Sequence, residues 1–440
     1  MIYLHKQISA GNQRFTGEFS KGCSLMKYLI LLCDGAADYP IEKLGMKTPM
    51  EVANVKNIDS LVRTSFVGTV SNVPDGMVPE SDTANLAVMS YDPKVYSKGR
   101  SPLEAMSLGL KMSPDDTAYR CNVVTLGNPG SEEVPYEEKI MIDHGADEIT
   151  TAEADILIKD IQKKLGRPDR NFFTGVSYRH CLIWKNAPEF TDFMRPHDIL
   201  GQSISNYLPQ EPFLSIQKES YEILKEHPVN LDRIKRGLRP ANSVWFWSPG
   251  KKPALPSFEE KWGLKASVIS AVDLIKGIAI CAGMRSVNVK NATGNINTDF
   301  EGKGNAAIEE FRNGQDLVYI HVEAPDECGH RAEIENKILA LEKIDKEILG
   351  NVLDYLRNCG DNYRVMVLPD HPTPICKRTH TIDPVPFMIY DSAKKYAGAV
   401  KFDEKHAADT GFYLPKGEKL MSLLVNGCPD SKSERKNYER

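Results

Sequence analysis

The sequence has 440 residues, of which 41% are apolar and 26% are charged, with a net charge of -5 and a pI of about 6.1. The length exceeds what one compact core usually holds, so we expect a globular protein with two domains. The weakly acidic balance gives no electrostatic reason to expect a nucleic-acid partner. Nine cysteines without a C-x-x-C pair favour a reducing compartment, the cytoplasm, over a disulfide framework.

The chain shows no sequence signal for a membrane or a secretory route. No stretch reaches the roughly 18 uncharged apolar residues of a membrane helix. The best candidate, residues 268–284, is interrupted by Asp273 and Lys276. Residues 1–25 lack the apolar core of a secretory signal and have no periodic pattern. We therefore expect residues 1–26 to be a disordered N-terminal extension, or Met26 to be the physiological start.

Two early segments place polar residues next to predicted elements. Residues 27–33 form a continuous apolar run, which predicts a fully buried strand of a parallel sheet. Asp34 follows at the carboxyl end, where open α/β sheets bind ligands, although an Asp-Gly after a strand is also common in ordinary turns. Ser81 begins a helix-like run and suits a helix N-cap. The alternative is catalytic, because free helix N–H groups favour phosphate and a bound metal would make this serine a nucleophile.

The middle of the chain has shorter apolar segments and recurring basic residues. Arg120, Arg179-His180 and Arg239 each stand at the beginning of, or just before, a predicted strand. Arginine matches the paired oxygens of phosphate and carboxylate groups, so these side chains could converge on one anion. The alternative for each is an ordinary solvated surface charge.

The last third supplies carboxylate and imidazole groups after two predicted strands. Asp326 and His330 stand four apart after the predicted strand at residues 317–323, a spacing that suits ligands of one metal ion. His321 lies within that strand, and we predict a packed core histidine.

A second group follows the predicted strand at residues 365–368. Asp370 and His371 come where that strand turns into a loop, and His380 follows shortly after. A carboxylate and two imidazoles so close together suggest metal ligation, whereas the alternative is a loop of ordinary polar residues.

Strands and helices alternate at both ends of the chain, with a differently textured block between them. This order predicts an α/β fold with a mainly parallel sheet flanked by helices and one inserted domain. We expect residues 27–94 and 252–428 to form the discontinuous metal-binding domain. Residues 95–251 would form an inserted α+β lid domain.

The ordered set of motifs resembles the cofactor-independent phosphoglycerate mutases of the alkaline phosphatase superfamily, in particular their archaeal-type branch. The resemblance runs from about Lys27 to beyond Tyr390. It rests on Asp34-Gly35, Pro79-Glu80-Ser81-Asp82-Thr83-Ala84, Asp92-Pro93, Gly99-Arg100, Arg120-Cys121-Asn122, His321 to His330, Asp370-His371 and Asp383-Pro384. It implies an alkaline-phosphatase-like fold and a small phosphorylated substrate.

The resemblance also implies two divalent metal ions and a set of site residues. One ion would be held by Asp34, Ser81, Asp370 and His371, and the other by Asp326, His330 and His380. Mn²⁺ suits mixed carboxylate and imidazole ligands best, and Mg²⁺ and Zn²⁺ remain open. Ser81 would be the nucleophile that takes the phosphoryl group of 3-phosphoglycerate and returns it to form 2-phosphoglycerate. The lid would exclude water and bind the substrate through Arg100, Arg120, Arg179, His180, Arg239 and Lys251.

Several points stay open at this stage. Lys251 and Lys303 are both candidates for a lysine that assists the serine. Stretches such as Ser177-Tyr178-Arg179-His180 also resemble a bacterial branch proposed to be a homoserine kinase of threonine biosynthesis, although the sequence has no Walker-type glycine loop. A phosphomonoesterase and a binding protein without catalysis are further alternatives. The oligomeric state is not predicted.

Overall fold

A computed structural model of the chain describes residues 26–189 and 192–438, so residues 1–25 of the extension predicted at residues 1–26 lie outside the described part, and Met26 begins the first strand. The described residues form two β-sheets and the helices around them. The strands are β1 (Met26–Cys33), β2 (Phe66–Val70), β3 (Asp116–Gly127), β4 (Ile140–Asp143), β5 (Arg170–Val176), β6 (Arg179–Lys185), β7 (Ser243–Lys251), β8 (Ala266–Ile269), β9 (Arg285–Val287), β10 (Leu317–Val322), β11 (Asn362–Leu368), β12 (Val385–Asp391) and β13 (Tyr413–Leu414).

The helices pack around both sheets. In the first half of the chain they are α1 (Pro49–Val52), α2 (Lys56–Val62), α3 (Ser81–Val88), α4 (Pro93–Tyr96), α5 (Ser101–Ser107), α6 (Thr151–Leu165), α7 (Phe213–Leu224) and α8 (Pro228–Lys235). In the second half they are α9 (Phe258–Trp262), α10 (Asp273–Cys281), α11 (Phe300–Arg312), α12 (Ala324–Arg331), α13 (Ile334–Lys343), α14 (Asn351–Asn358), α15 (Glu404–Asp409), α16 (Leu420–Asn426) and α17 (Lys432–Arg435). A π-helical segment, Ile344–Gly350, joins α13 to α14.

The larger sheet has eight strands in the order β13-β2-β12-β11-β1-β10-β8-β9. Strand β1 lies between β10 and β11 and is parallel to both, and β8 and β9 continue the parallel arrangement. Strand β12 is antiparallel to its neighbours β11 and β2. The apolar residues of β1, β10 and β11 are buried in the main core, as their continuous apolar runs predicted.

The second sheet has five strands, β3 to β7, all of which lie between residues 116 and 251. Its strand pairs are antiparallel, and it shares an apolar core with α6 and α7. Helix α5 packs against β3 and also against α10, so it joins the two sheets. The predicted fold class is confirmed, whereas the domain bounds at residues 95 and 251 stay a prediction.

None of the helices that the structure describes combines the length and apolar character needed to cross a membrane.

A buried ion pair supports the loops at the carboxyl edge of the larger sheet. Lys337 of α13 and Asp38, which follows β1, have fully or almost fully buried side chains, and Lys337 Nζ lies 2.8 Å from Asp38 Oδ2. Lys337 Nζ also donates to Thr373 O at 2.9 Å, and Asp38 Oδ1 accepts from the Ile375 N–H at 3.1 Å. The pair therefore links α13 to the loops that follow β1 and β11.

We predict that Lys337→Met lowers the free energy of unfolding by about 3–5 kcal/mol, because it leaves the Asp38 carboxylate buried without its partner. Urea denaturation of the full chain measures the change. Lys346→Met is the matched control, since Lys346 is an exposed lysine in the π-helical segment that continues α13. Equal unfolding free energies for the two variants would contradict the structural role of the pair.

Candidate metal centre

Three carboxylates meet where adjacent parallel strands end. Asp34 follows β1, Asp370 follows β11 after Pro369, and Asp326 lies in the first turn of α12, which follows β10. Because β1 is parallel to both neighbours, these three ends share one edge of the sheet. The side chains of all three residues are buried.

Asp370 is held from several directions. Its Oδ1 accepts from the N–H groups of Gly35 at 3.1 Å and His371 at 2.9 Å, and its Oδ2 accepts from Asn85 Nδ2 at 3.0 Å. Asp34 is different, because Oδ1 of this buried carboxylate has no hydrogen-bond partner among the described residues. Burial, followed by the charges of Asp370 and Asp326, raises the pKa of Asp34 well above its usual range.

Asp326, His330 and His380 form a second group. His330 Nδ1 donates to Arg378 O at 3.0 Å, and His380 Nδ1 donates to Pro79 O at 2.6 Å. These bonds direct both Nε2 atoms inward, where they lie 2.9 Å apart. Asp326 Oδ2 is 3.2 Å from His330 Nε2, and Asp326 Oδ1 is 3.4 Å from His380 Nε2.

This second group favours positive charge at its centre. Two inward lone pairs beside a carboxylate repel one another unless a cation or a proton lies between them, and Nδ1–H bonds to carbonyls are typical of metal-binding histidines. The hydrogen bond to Asp326 raises the pKa of His330 to about 9. Although burial opposes it, hydrogen bonds from His330 and His380 hold the pKa of Asp326 below its usual range.

Ser81 lies between the two groups. It is the first residue of α3, and Glu80 occupies the N-cap position, so the expectation of an N-cap serine is wrong by one residue. Its Oγ is 3.3 Å from His371 Nε2, and the His371 ring stacks on the His380 ring with centroids 4.0 Å apart. The hydroxyl therefore lies in the first turn of α3, where backbone N–H groups are free, and next to the His371 imidazole.

The seven predicted metal ligands lie close together in the structure. Potential ligand atoms fall within 4.8 Å of one another in two sets, Asp326 with His371 and His380, and Asp34 with His321 and Asp370. The assignment of individual ligands to two ions stays a prediction.

His321 belongs to the site although we expected only a packed core histidine. It is fully buried in β10, as expected, but its Nε2 lies 3.0 Å from Asp34 Oδ2. The sequence signal was the single imidazole in an otherwise apolar strand. Its meaning depends on the register, which pairs His321 with Leu32, two residues before Asp34.

Of the two lysines that sequence analysis offered, Lys303 lies at the site. Its side chain is buried, and Nζ donates to His321 O at 3.0 Å. Burial lowers the pKa of Lys303 to about 8. Glu323, which sequence analysis did not select, lies near enough to Lys303 for the two charges to interact. Burial raises the pKa of Glu323 to about 8. Lys251, by contrast, is an exposed residue at the end of β7.

Three of the predicted substrate-binding residues line one cavity of about 60 Å³ beside α5, namely Arg120, Arg179 and His180. Arg120 lies in the middle of β3 rather than before it, where it forms an ion pair with Glu104 and stacks 4.4 Å from the Trp247 ring. His180 is buried, and its Nδ1 accepts from the Gly175 N–H at 3.1 Å.

Arg239 and Arg100 lie outside this cavity. Arg239 NH1 is 2.7 Å from Asp143 Oδ2 and 3.4 Å from Asp147 Oδ1, so its charge is already matched by carboxylates. Arg100 NH1 is 3.5 Å from Glu80 Oε2, immediately before Ser81. Arg100 is thus paired with the residue that precedes Ser81, and Arg239 is paired with two carboxylates that follow β3 in the chain.

Comparisons with known proteins match these observations. A family profile described as 2,3-bisphosphoglycerate-independent phosphoglycerate mutase matches residues 63–230. A protein of that name from Methanothrix thermoacetophila is 42% identical over 91% of this chain and 100% of its own length. One from Methanosarcina mazei is also 42% identical over 91% of this chain and 100% of its own length.

Solved structures agree on the fold. A protein from Pyrococcus horikoshii matches with a TM-score of 0.75 and 27% identity, over 92% of this chain and 97% of its own. A cofactor-independent phosphoglycerate mutase from Thermoplasma acidophilum matches with a TM-score of 0.62 and 24% identity, over 92% of this chain and 100% of its own, and supports the fold alone. On the sequence matches, the chain belongs to the family of 2,3-bisphosphoglycerate-independent phosphoglycerate mutases.

Proposed function

We propose that the protein interconverts 3-phosphoglycerate and 2-phosphoglycerate through a phosphoserine at Ser81. The observation that carries this proposal is the position of Ser81 Oγ, 3.3 Å from His371 Nε2 at the N-terminus of α3. The family relatives that share most of this chain carry the name of this activity.

The donor set supports the binding of two divalent cations. Asp34 Oδ1 has no hydrogen-bond partner among the described residues, and the Nε2 atoms of His330 and His380 face each other. A bound cation would give each of these atoms a favourable partner. Carboxylate and imidazole donors together favour Mn²⁺, with Zn²⁺ and Mg²⁺ as alternatives. When bound, the metals would lower the pKa of the serine hydroxyl and stabilise the charge of the phosphoryl oxygens.

The protein groups divide the remaining work. Ser81 Oγ attacks phosphorus and the bond from phosphorus to the substrate oxygen breaks, so glycerate is released within the site. The other glycerate hydroxyl then attacks the phosphoserine and restores Ser81. The N–H groups of the first turn of α3 face the phosphoryl group, and Arg100 and Lys303 supply positive charge nearby.

The second sheet fits the role of a substrate-binding lid at residues 95–251. Helix α5 connects it to α10 and begins directly after Arg100. Arg120 and Arg179 share one cavity beside this helix, and we propose that they bind the glycerate carboxylate or phosphate. A closed lid would also keep water from the phosphoserine, which separates a mutase from a phosphomonoesterase.

A paired assay on metal-free protein with Mn²⁺ added back tests the reaction. One arm offers 3-phosphoglycerate and follows 2-phosphoglycerate, and the other offers ATP and homoserine and follows ADP. We expect product only in the first arm. Product only in the second would mean that the same centre serves a homoserine kinase, and inorganic phosphate alone from the first would indicate a phosphomonoesterase.

We predict that Ser81→Ala abolishes the mutase reaction but retains most metal binding, because the carboxylates and imidazoles remain. Product formation and Mn²⁺ titration by calorimetry are measured on the same preparation. Ser60→Ala, an exposed serine on α2, is the control and should match the wild type. Full mutase activity in Ser81→Ala would refute the phosphoserine mechanism.

Arg179→Ala should lower kcat/KM for 3-phosphoglycerate roughly 10- to 100-fold, the usual range for losing one charge-assisted hydrogen bond. Steady-state kinetics measures this effect. Arg236→Ala is the control. Arg236 is another exposed arginine between residues 116 and 251, and its partners are Glu153 and Asp232, so kcat/KM should be unchanged. An unchanged kcat/KM in Arg179→Ala would remove this residue from the proposed lid contacts.

A further inference from the structure

His321 is a buried imidazole at the metal centre that the proposed ligand assignment leaves without a role. It lies inside β10 and is completely buried. An imidazole in an apolar strand is destabilising unless its nitrogens reach polar partners. The partners of His321 therefore indicate why the strand carries a histidine at this position.

Both ring nitrogens face polar groups. Nδ1 lies 3.3 Å from Ser270 Oγ, and Ser270 Oγ itself accepts from the Val272 N–H at 3.0 Å. The Ser270 hydroxyl can donate its proton to Nδ1, whereas an ionised Asp34 carboxylate beside Nε2 can only accept. The ring proton then belongs on Nε2, the nitrogen that faces Asp34.

The contact with Asp34 joins His321 to a buried carboxylate whose other oxygen, Oδ1, has no hydrogen-bond partner among the described residues. His321 Nε2 lies 3.0 Å from Asp34 Oδ2. Nε2 has no hydrogen bond of standard geometry among the described residues, and neither has Asp34 Oδ1. His371, the nearest other imidazole to Asp34, is farther away, with its Nε2 3.7 Å from Asp34 Oδ1.

The backbone of His321 is also fixed. Lys303 Nζ donates to its carbonyl oxygen at 3.0 Å, and the parallel register pairs it with Leu32 of β1. Asp34 is fixed next to it, since its N–H donates to Val322 O at 3.0 Å. The backbones of His321 and Asp34 are therefore fixed relative to each other, and only the orientation of the Asp34 carboxylate can still change.

We propose that His321 is a positioning residue that orients the Asp34 carboxylate for metal binding, with Ser270 setting its tautomer. The proposal rests on the proposed two-metal function. A positioning role differs from direct ligation, because it requires a hydrogen-bond donor at Nε2 rather than a lone pair. The side-chain amide of glutamine offers a donor at a similar distance from the backbone and separates the two roles.

Calorimetric titration of the metal-free full chain with Mn²⁺ tests the proposal. We expect His321→Leu to weaken Mn²⁺ binding roughly 10- to 100-fold, the usual effect of losing a group that orients a metal ligand. His321→Gln should bind with nearly wild-type affinity. Ser270→Ala, which keeps the imidazole and its packing, should weaken binding by less than His321→Leu and serves as the readout if that variant does not fold.

His227→Leu is the matched control. His227 is another buried histidine beside a carboxylate, with Nε2 3.1 Å from Asp160 Oδ2, but it lies at the start of α8. It should bind Mn²⁺ as the wild type does. Wild-type affinity in His321→Leu, or a glutamine variant as weak as the leucine variant, would overturn the positioning role. Absence of binding by the wild type would instead overturn the proposed metal centre on which the role rests.

Discussion

The structure depends on the burial of negative charge where three parallel strands end. Asp34, Asp326 and Asp370 converge because β1 lies between β10 and β11 in parallel register. Like charges so close in a buried site raise one another's pKa and oppose folding unless cations compensate them. Burial, and after it the neighbouring carboxylates, raises the pKa of Asp34, and the hydrogen bond to Asp326 raises the pKa of His330.

Side chains around the centre hold these carboxylates and their loops in place through hydrogen bonds and one buried ion pair. Asn85 of α3 donates to Asp370 and accepts from Tyr319 Oη at 2.6 Å, so its side-chain amide links β10 to the carboxylate that follows β11. On the other side, Lys337 and Asp38 tie α13 to the loops after β1 and β11. A buried ion pair is weak evidence for net stability, but it restricts the arrangements that these loops can adopt. The centre is therefore preformed by its supports.

The sequence predicted the main strands, the fold class and the residues that cluster at their ends, because continuous apolar runs and the positions after them carry that information locally. His321 was missed as a site residue, since burial follows from the apolar run but the contact with Asp34 follows only from the register of β1 against β10. The sequence predicted Arg120 at the start of a strand. In the structure β3 begins earlier, at Asp116, because its first residues include polar side chains that the apolar pattern does not mark as a strand. Pairing of Arg239 with Asp143 is a long-range contact that no local pattern indicates.

The proposed pair of cations would serve any transfer of a phosphoryl group to a hydroxyl, so we expect the choice of substrate to come from the second sheet. Two arginines of that region are paired with carboxylates, Arg120 with Glu104 and Arg239 with Asp143. Arg179, by contrast, is exposed at the start of β6 and shares the cavity of Arg120. Of these three arginines we therefore expect Arg179 to be the one that meets an anionic group of the substrate, a carboxylate or a phosphate.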